Sequence, residues 1–401
     1  MNQSQSVFFN KAYFMCFFLL GLFPTAPFRI KPILIVPLIM VSVIHLFYSP
    51  KKKINWKTIG ISTGIFLIFL YSYFYTINQE YANQLILRLT PLLFLPFAFG
   101  LVPDEIYEKS TRLLFRVFTL SSGLLTILMF VYAYTLPIHE IGYIYSHLSW
   151  NFWGYEEHPI YISLYLGLSL IYLFWNYNKT ALDTFLIIIL LIGLFFLTRK
   201  GNILGLAFVG MVAILSRKGL IKKKQVIGLA GLAIVAMVLI NFLFDGFILS
   251  RFQEVFMPSQ WENIQTSTGI RNTVYQTSLG LSFESPIWGY GLGSVQGVIN
   301  NRLIELGFEE LTTIHQYNAH NQYIQIILTA GYTGLIIFLS ILFYIGRLLF
   351  KSKSKLGWYI FLYLLFCLLV ESLLERQNGI LITALFLNLF ALRPKDENHN
   401  H

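Results

Sequence analysis

The residues best suited to chemistry are a histidine and several arginines at the edges of long apolar blocks. His320 and Asn321 stand directly before one such block, in the segment HNQYIQIILTAGYTG of residues 320–334. The positive end of a helix dipole favours neutral imidazole, which can take a proton from an incoming hydroxyl. Gly331 and Gly334 are three residues apart, which predicts close approach by a neighbouring helix. His320 is therefore a candidate general base, and a histidine that merely caps a membrane helix is the structural alternative.

Several basic residues lie next to apolar blocks, where a positive charge is energetically unfavourable. Arg199 and Lys200 lie between two apolar blocks with almost no loop, in the segment LTRKGNILG of residues 197–205. A charge so close to hydrocarbon is costly without a partner. The guanidinium group of Arg199 could bind two oxygens of a lipid-linked pyrophosphate at once. The alternative is that the side chain extends to the membrane surface and contacts lipid head groups. Arg271 and Arg88 allow the same two interpretations.

The blocks that flank these residues predict an all-α, polytopic integral membrane protein. The chain is 56% hydrophobic and only 12% charged, about half the charge of a soluble domain. The blocks are roughly 16 to 25 residues long, which is the length that crosses about 30 Å of hydrocarbon. We expect one membrane domain over residues 1–401, with a large polar loop at 245–320 between the ninth and tenth helices. We predict about twelve transmembrane helices, near residues 12–28, 32–49, 59–77, 84–102, 112–135, 159–176, 182–198, 202–216, 225–244, 321–350, 357–373 and 379–392.

The distribution of charge predicts the orientation of these helices. The formal net charge is +10, from 29 Lys and Arg against 19 Asp and Glu. Twenty of the 29 basic residues fall on one side of the predicted helices, together with both termini. The positive-inside rule makes that side cytoplasmic. The net charge therefore needs no nucleic-acid partner, and the loop at 245–320 is predicted to face outwards.

Three segments together resemble the O-antigen ligase family and the related O-antigen polymerases. The histidine segment matches the family signature of His, then Asn, Ser or Gln, nine residues, Gly, two residues, and Gly, Thr or Tyr. LTRKGNILG is similar to its TRxG-type turn. The segment GIRNTVYQTSLGLSFESPIWGYGLGS, residues 269–294, is similar to its loop arginine followed by a glycine-rich turn. The resemblance covers residues 158–392, with most of its weight on residues 197–334.

The resemblance implies a GT-C-like, inverting, metal-independent glycosyltransferase of the bacterial inner membrane, with a periplasmic active site. The donor would be an undecaprenyl-pyrophosphate-linked glycan, and the acceptor a lipid A–core sugar or another glycan. His320, Arg199 and Arg271 would be catalytic. Substrate-binding roles would fall to Arg88, Lys200, Asn321, Gly291 and Gly293.

Several alternatives stay open at the level of sequence. O-antigen polymerase and protein O-oligosaccharyltransferase share the same motifs. A flippase for a lipid-linked sugar would also be polytopic and basic, but it should carry charges through the middle of the membrane. We expect no cofactor and no metal, because no metal-ligand spacing is present, and the two cysteines fall inside apolar blocks. The sequence does not assign roles to His158, Glu371 or Glu375, although the two acids with Arg376 suggest a salt-bridged helix end.

Overall fold

The fold is described by a computed structural model. It describes residues 3–48, 54–136, 154–178, 180–216, 246–261, 263–264, 266–313, 316–352 and 354–392, with scattered residues between 231 and 242. The first helices are α1 (Gln3–Gly21), α2 (Val36–Tyr48), α3 (Trp56–Tyr73), α4 (Gln79–Arg88), α5 (Pro91–Gly100), α6 (Asp104–Thr135), α7 (Pro159–Trp175), α8 (Ala181–Phe196) and α9 (Lys200–Leu215). The later helices are α10 (Phe247–Phe256), α11 (Pro258–Trp261), α12 (Ser267–Glu284), α13 (Val295–Glu305), α14 (Glu309–Thr312), α15 (Gln322–Lys351), α16 (Lys355–Val370) and α17 (Gln377–Ala391). Two short 3₁₀ turns, Lys31–Ile35 and Leu373–Glu375, complete the elements.

The all-α prediction is confirmed for the residues that the structure describes. Within them, four stretches are long and apolar enough to cross a membrane. They are Lys31–Tyr48, Gln79–Gly100, Asp104–Thr135 and Gln322–Lys351. Helices α7, α8, α9, α16 and α17 are apolar but shorter. The number of twelve spans and the GT-C-like arrangement stay predictions.

Most predicted helices begin and end close to the observed ones, and three do not. The predicted helix 84–102 is divided in two, because α4 ends at Arg88 and α5 starts at Pro91, although Gln79–Gly100 together form one candidate span. Proline lacks an N–H and disfavours helical backbone at the residue before it. The predicted starts at residues 12 and 112 were too late, since α1 begins at Gln3 and α6 begins at Asp104. The predicted helix 225–244 lies mostly outside the described residues, as do residues 137–153 of the aromatic-rich loop.

Contacts between Cα atoms divide the chain into two compact units. The first unit contains residues 1–53 and 101–252, and the second contains residues 54–100 and 253–401. Whether they form the single membrane domain expected from the sequence stays a prediction. In the first unit, α1 packs along α6, and α7 packs against α6, α8 and α9.

An ion pair is buried inside the first unit. Lys31 contacts the Glu157 carboxylate, and the two side chains are 0% and 1% exposed. The hydroxyl of Tyr165 lies 3.2 Å from both charged groups. Removing one partner of such a pair leaves an uncompensated buried charge, which typically costs about 3–5 kcal/mol. Lys31 is therefore held in place by its contacts inside the first unit.

The second unit is built on α15. This helix packs against α3, α12 and α16, while α17 packs against α5. Asn321 caps α15 by accepting hydrogen bonds from the backbone N–H groups of Tyr323 at 2.9 Å and Ile324 at 3.2 Å. Such a cap stabilises a helix by about 1 kcal/mol. The cap fixes where α15 starts, and therefore where the preceding His320 is held.

Candidate active site

Two residues with predicted roles, His320 and Arg271, meet Glu371, which had none, in the second unit. His320 lies just before α15, Glu371 follows the last residue of α16, and Arg271 lies in the second turn of α12. The Nδ1 atom of His320 is 3.0 Å from Glu371 Oε1. Arg271 donates from Nη2 to Glu371 Oε2 at 3.2 Å. One carboxylate thus bridges the candidate base and a candidate phosphate ligand.

The carboxylate determines which nitrogen of His320 can act as a base. An ionised carboxylate can only accept hydrogen bonds, so the contact at Nδ1 places a proton on that nitrogen. In neutral imidazole the other nitrogen, Nε2, is then the acceptor. The His320 side chain is 19% exposed, whereas Glu371 is 10% exposed. The arrangement therefore presents a partly accessible imidazole whose tautomer is fixed from its buried side.

The backbone at His320 adopts a conformation that is uncommon for residues with a side chain. Its φ is +48°, in the left-handed region. The N–H of His320 donates to Asn318 Oδ1 at 3.1 Å, and the N–H of Ala319 donates to Gln325 Oε1 at 2.9 Å. Left-handed non-glycine residues cost about 1–3 kcal/mol and persist where their surroundings hold them. These side-chain contacts hold the turn from which the imidazole projects.

A second, deeper layer of polar side chains lies behind this turn. Glu375 and Gln325 are 5% and 1% exposed, and Gln325 donates a hydrogen bond to the Glu375 carboxyl. Burial raises the pKa of Glu375 to about 7, while the Gln325 hydrogen bond and the positive charge of Arg88 act in the opposite direction. Gln322 accepts from the Leu374 N–H at 2.7 Å, which ties the start of α15 to the same segment. Glutamine side chains of α15 therefore join the histidine turn to residues 371–376.

The two glycines of the histidine segment have different roles. Gly331 has φ +69° and ψ −172°, and it kinks α15. A Cβ atom at Gly331 would overlap the carbonyl group of Ile287. The prediction that Gly331 admits a neighbouring helix is wrong, because its close neighbour is the backbone of the loop before the glycine-rich turn. Gly334 does face another helix, since a Cβ there would lie 3.3 Å from Ile68 of α3.

The glycine-rich turn fits into the second unit through its backbone. The N–H of Gly291 donates to Thr329 O at 3.1 Å, and the N–H of Gly293 donates to Thr76 Oγ1 at 2.8 Å. A Cβ at Gly291 would lie 2.7 Å from Thr76 Cα, and Gly291 has φ +92°. Both glycines thus bond to the protein itself, and a role for them in binding substrate stays a prediction.

The site just described lies on a segment that one family model recognises. Residues 164–339 match the model of the O-antigen ligase. This segment is similar to the O-antigen ligase family. No curated protein matches the chain. The match ends beyond the kink of α15, so it includes Arg199, Arg271 and His320 but stops short of Glu371.

The O-antigen ligase match also contains the arginine turn of the first unit. Thr198 has φ +49°, and Arg199 is the N-cap residue of α9. Asn202 donates to the carbonyl oxygen of Ile160 at 2.8 Å, which anchors the first turn of α9 to the start of α7. Arg199 and Lys200 are both half-buried. Thr198 and His320 are the two residues other than glycine with positive φ in the described part of the chain, and both fall inside the range that matches the family model.

Two other predicted residues have defined positions. Arg88 is the last residue of α4, is exposed, and lies close enough to Glu375 to affect the titration of that acid. His158 is the N-cap residue of α7 and its ring accepts from the Ile160 N–H at 3.3 Å, with Pro159 as the first helical residue. His147 lies outside the described residues.

Sequence reasoning did not identify Glu371 and Gln325 as parts of this candidate site. The sequence signal for Glu371 was the run ESLLER, residues 371–376, whose charges interrupt an otherwise apolar stretch from 357 to 391. Gln325 sits one helical turn after Asn321 in an apolar helix, where a buried amide needs hydrogen-bond partners. A polar residue in an apolar helix thus indicated a buried hydrogen bond, but the sequence did not show which residue would be its partner.

Proposed function

We propose that this protein transfers a glycan from a lipid-linked pyrophosphate to a sugar hydroxyl with inversion at the anomeric carbon. The observation that supports this proposal is the bridge from Glu371 to both His320 and Arg271. It joins a base to a phosphate ligand, and both groups are needed when a hydroxyl displaces a pyrophosphate. The similarity to a family of glycosyltransferase-like membrane enzymes points the same way.

In this mechanism the acceptor hydroxyl loses its proton to Nε2 of His320 as its oxygen attacks the anomeric carbon. The bond between that carbon and the pyrophosphate oxygen breaks, and its electron pair leaves with the pyrophosphate. Glu371 keeps the proton on Nδ1 and stabilises the imidazolium that forms. Arg271 binds the departing phosphate oxygens, with Arg88 as a further ligand. Arg199 and Lys200, which lie in the first unit, keep the phosphate-binding role expected from the sequence. Inversion follows from a single displacement.

We further propose that the donor is an undecaprenyl-pyrophosphate-linked O-antigen and the acceptor a lipid A–core sugar. The site would face the periplasm from the inner membrane, with both termini cytoplasmic. A cysteine placed at Ser267 should then react with a membrane-impermeant thiol reagent in cells with a permeabilised outer membrane, and one placed at Ser354 should not. Reversed labelling would put the site in the cytoplasm and remove the ligase proposal.

The decisive experiment measures glycan transfer by purified protein in proteoliposomes. His320→Ala should reduce the rate by at least about 10²-fold, because a general base contributes roughly 10²–10⁴-fold. His158→Asn is a matched control, since asparagine keeps the N-cap of α7. If His320→Ala transfers glycan at more than about a tenth of the wild-type rate while folding normally, His320 is not the base.

A genetic experiment separates the members of the superfamily. Deletion of the gene followed by glycolipid analysis should leave long glycan chains on the lipid carrier and none on lipid A–core. Lipid A–core capped with single repeats would instead identify a polymerase. Unchanged lipopolysaccharide with loss of glycosylated protein would identify a protein O-oligosaccharyltransferase.

A further inference from the structure

A cleft opens on α12 directly beside the candidate active site. Its volume is about 460 Å³, which is within the range of small-molecule binding pockets, roughly 300–1,000 Å³. Helices α11, α12 and α13 and the segment before α14 form its walls. Its first residue on α12 is Asn272, which follows Arg271 in the sequence. The cleft therefore begins next to the proposed ligand of the donor pyrophosphate.

Different faces of α12 carry the core contacts, the phosphate ligand and the cleft. Val274 and Leu281 are buried in a core with residues of α13 and α15, which holds the helix in place. Arg271 contacts Glu371 at the start of the same helix. The cleft is lined by a stripe of residues three or four apart, namely Thr273, Gln276, Thr277 and Gly280. One packed helix thus positions the cleft relative to Arg271.

The lining of the cleft combines neutral hydrogen-bonding groups with exposed aromatic surface. Trp261 is 43% exposed, and Nδ2 of Asn272 donates to the carbonyl oxygen of Trp261 at 3.1 Å, which ties α11 to α12. Amides and hydroxyls donate and accept as sugar hydroxyls require, and an aromatic ring packs against the C–H face of a sugar. Nε of Arg302, in the wall of the cleft, lies 3.1 Å from the Glu305 carboxylate, so its charge is compensated. These features favour a glycan over an anion or an apolar chain.

We infer that this cleft binds the glycan of the donor and holds the sugars beyond the one that reacts. This inference rests on the proposed function, because that function assigns Arg271 to the donor pyrophosphate. The first sugar is bonded directly to the pyrophosphate, so the glycan starts next to Arg271. From Asn272 to Gly280 the cleft extends over eight residues, about 12 Å at 1.5 Å per residue, which is longer than a single sugar ring. The cleft therefore makes transfer depend on the length of the donor glycan.

The test compares donors that differ only in the length of their glycan. Full-length protein in proteoliposomes receives the same pyrophosphate lipid carrying either one sugar or a chain of complete repeats. The measured quantity is kcat/KM for each donor at a fixed concentration of acceptor. The wild-type protein should use the long donor at least about tenfold better, because the added sugars gain an aromatic contact and hydrogen bonds.

Two variants should remove this preference by different routes. Trp261→Ala deletes the aromatic surface. Gly280→Leu fills the cleft, and it should fold normally because a Cβ at Gly280 meets no atom within 4 Å. Each variant should lower kcat/KM for the long donor about tenfold, so that the two donors are used about equally. Gly297→Leu is the matched control, since Gly297 is also exposed and in open space but lies on α13 outside the lining of the cleft.

The outcomes distinguish the inference from the proposed function. The inference is overturned if the wild-type protein uses both donors equally, or if Trp261→Ala and Gly280→Leu keep the preference for the long donor. It is also overturned if these variants raise KM for the acceptor and leave KM for the donor unchanged, because the cleft would then hold the acceptor. Failure of the wild-type protein to transfer from either donor would instead remove the proposed function.

Discussion

The bridging carboxylate of Glu371 gives the sharpest prediction, because a substitution of equal size cannot replace it. Glu371 accepts from His320 through one oxygen and from Arg271 through the other. In Glu371→Gln the side chain offers one acceptor and one NH₂ group. With its oxygen towards His320, the NH₂ group meets the Arg271 guanidinium, and two donors face each other. With its oxygen towards Arg271, the NH₂ group donates to Nδ1 and moves the imidazole proton to Nε2, which cannot then act as a base.

The magnitude follows from the contact that is lost in either orientation. A hydrogen bond to a charged group contributes roughly 1.5–3 kcal/mol, which corresponds to about 10- to 200-fold in rate. Loss of the carboxylate that stabilises the imidazolium adds to this loss, and its removal from a catalytic triad lowers kcat by about 10⁴-fold. We therefore expect Glu371→Gln to reduce kcat by at least about 10²-fold, with a smaller change in KM.

The assay is steady-state transfer in proteoliposomes with lipid-linked glycan and acceptor, analysed by mass spectrometry. Glu284→Gln is the matched control, because Glu284 also binds an arginine, Arg302, through both oxygens but is exposed. The reasoning is refuted if Glu371→Gln keeps more than about a tenth of the wild-type kcat. A rise in KM with unchanged kcat would also refute it, because Glu371 would then bind substrate rather than orient the base.

Three further predictions concern the arginines, the kink and the buried acid. Arg271→Lys and Arg199→Lys should each lose most transfer activity, because lysine lacks the planar fork, while EDTA should change the wild-type rate little. Gly331→Ala should destabilise the protein by more than about 3 kcal/mol in thermal denaturation, because Gly331 has a positive φ and a Cβ there would overlap the backbone of Ile287. Gly60→Ala is the control: a Cβ there meets no atom within 4 Å, so the free energy of unfolding should rise by up to about 1 kcal/mol. The raised pKa of Glu375, about 7, means that its favourable contribution is complete below the unfolded pKa near 4.5 and is lost as the pH rises through 7. Glu375→Gln should accordingly stabilise the protein by up to about 3 kcal/mol at pH 8 and much less at pH 4.5; equal effects at both pH values would contradict this.

The parts of the fold that depend on local sequence were predictable. The lengths of the apolar segments predicted the positions of most helices. The residue types at the segment ends predicted capping residues such as Asn321. The position of His320 before a helix followed from its neighbours in sequence. The break after Arg88 was missed because Leu89 and Thr90 do not interrupt the apolar pattern, and only Pro91 marks the new helix.

The parts of the site that depend on distant contacts were not predictable. His320 and Glu371 are 51 residues apart, and Arg271 and Glu371 are 100 apart. Apolar periodicity does not determine which ends of which helices meet. The same limit applies to Gly331, whose spacing from Gly334 fits a helix contact, although its conformation is set by the loop at Ile287. Sequence therefore identified two members of the site, and packing supplied the carboxylate that joins them.

The short length of α16 has a consequence for the choice between sugar and water as acceptor. Its 16 residues span about 24 Å at 1.5 Å per residue, whereas the hydrocarbon layer is about 30 Å thick. If α16 crosses the membrane with Lys355 at one boundary, Glu371 would lie roughly 6 Å below the other boundary. A reaction at that depth would take place largely out of reach of bulk water, which would limit hydrolysis of an activated donor. The depth also depends on the lipid, so the proportion of donor lost to hydrolysis should fall as the bilayer is made thicker.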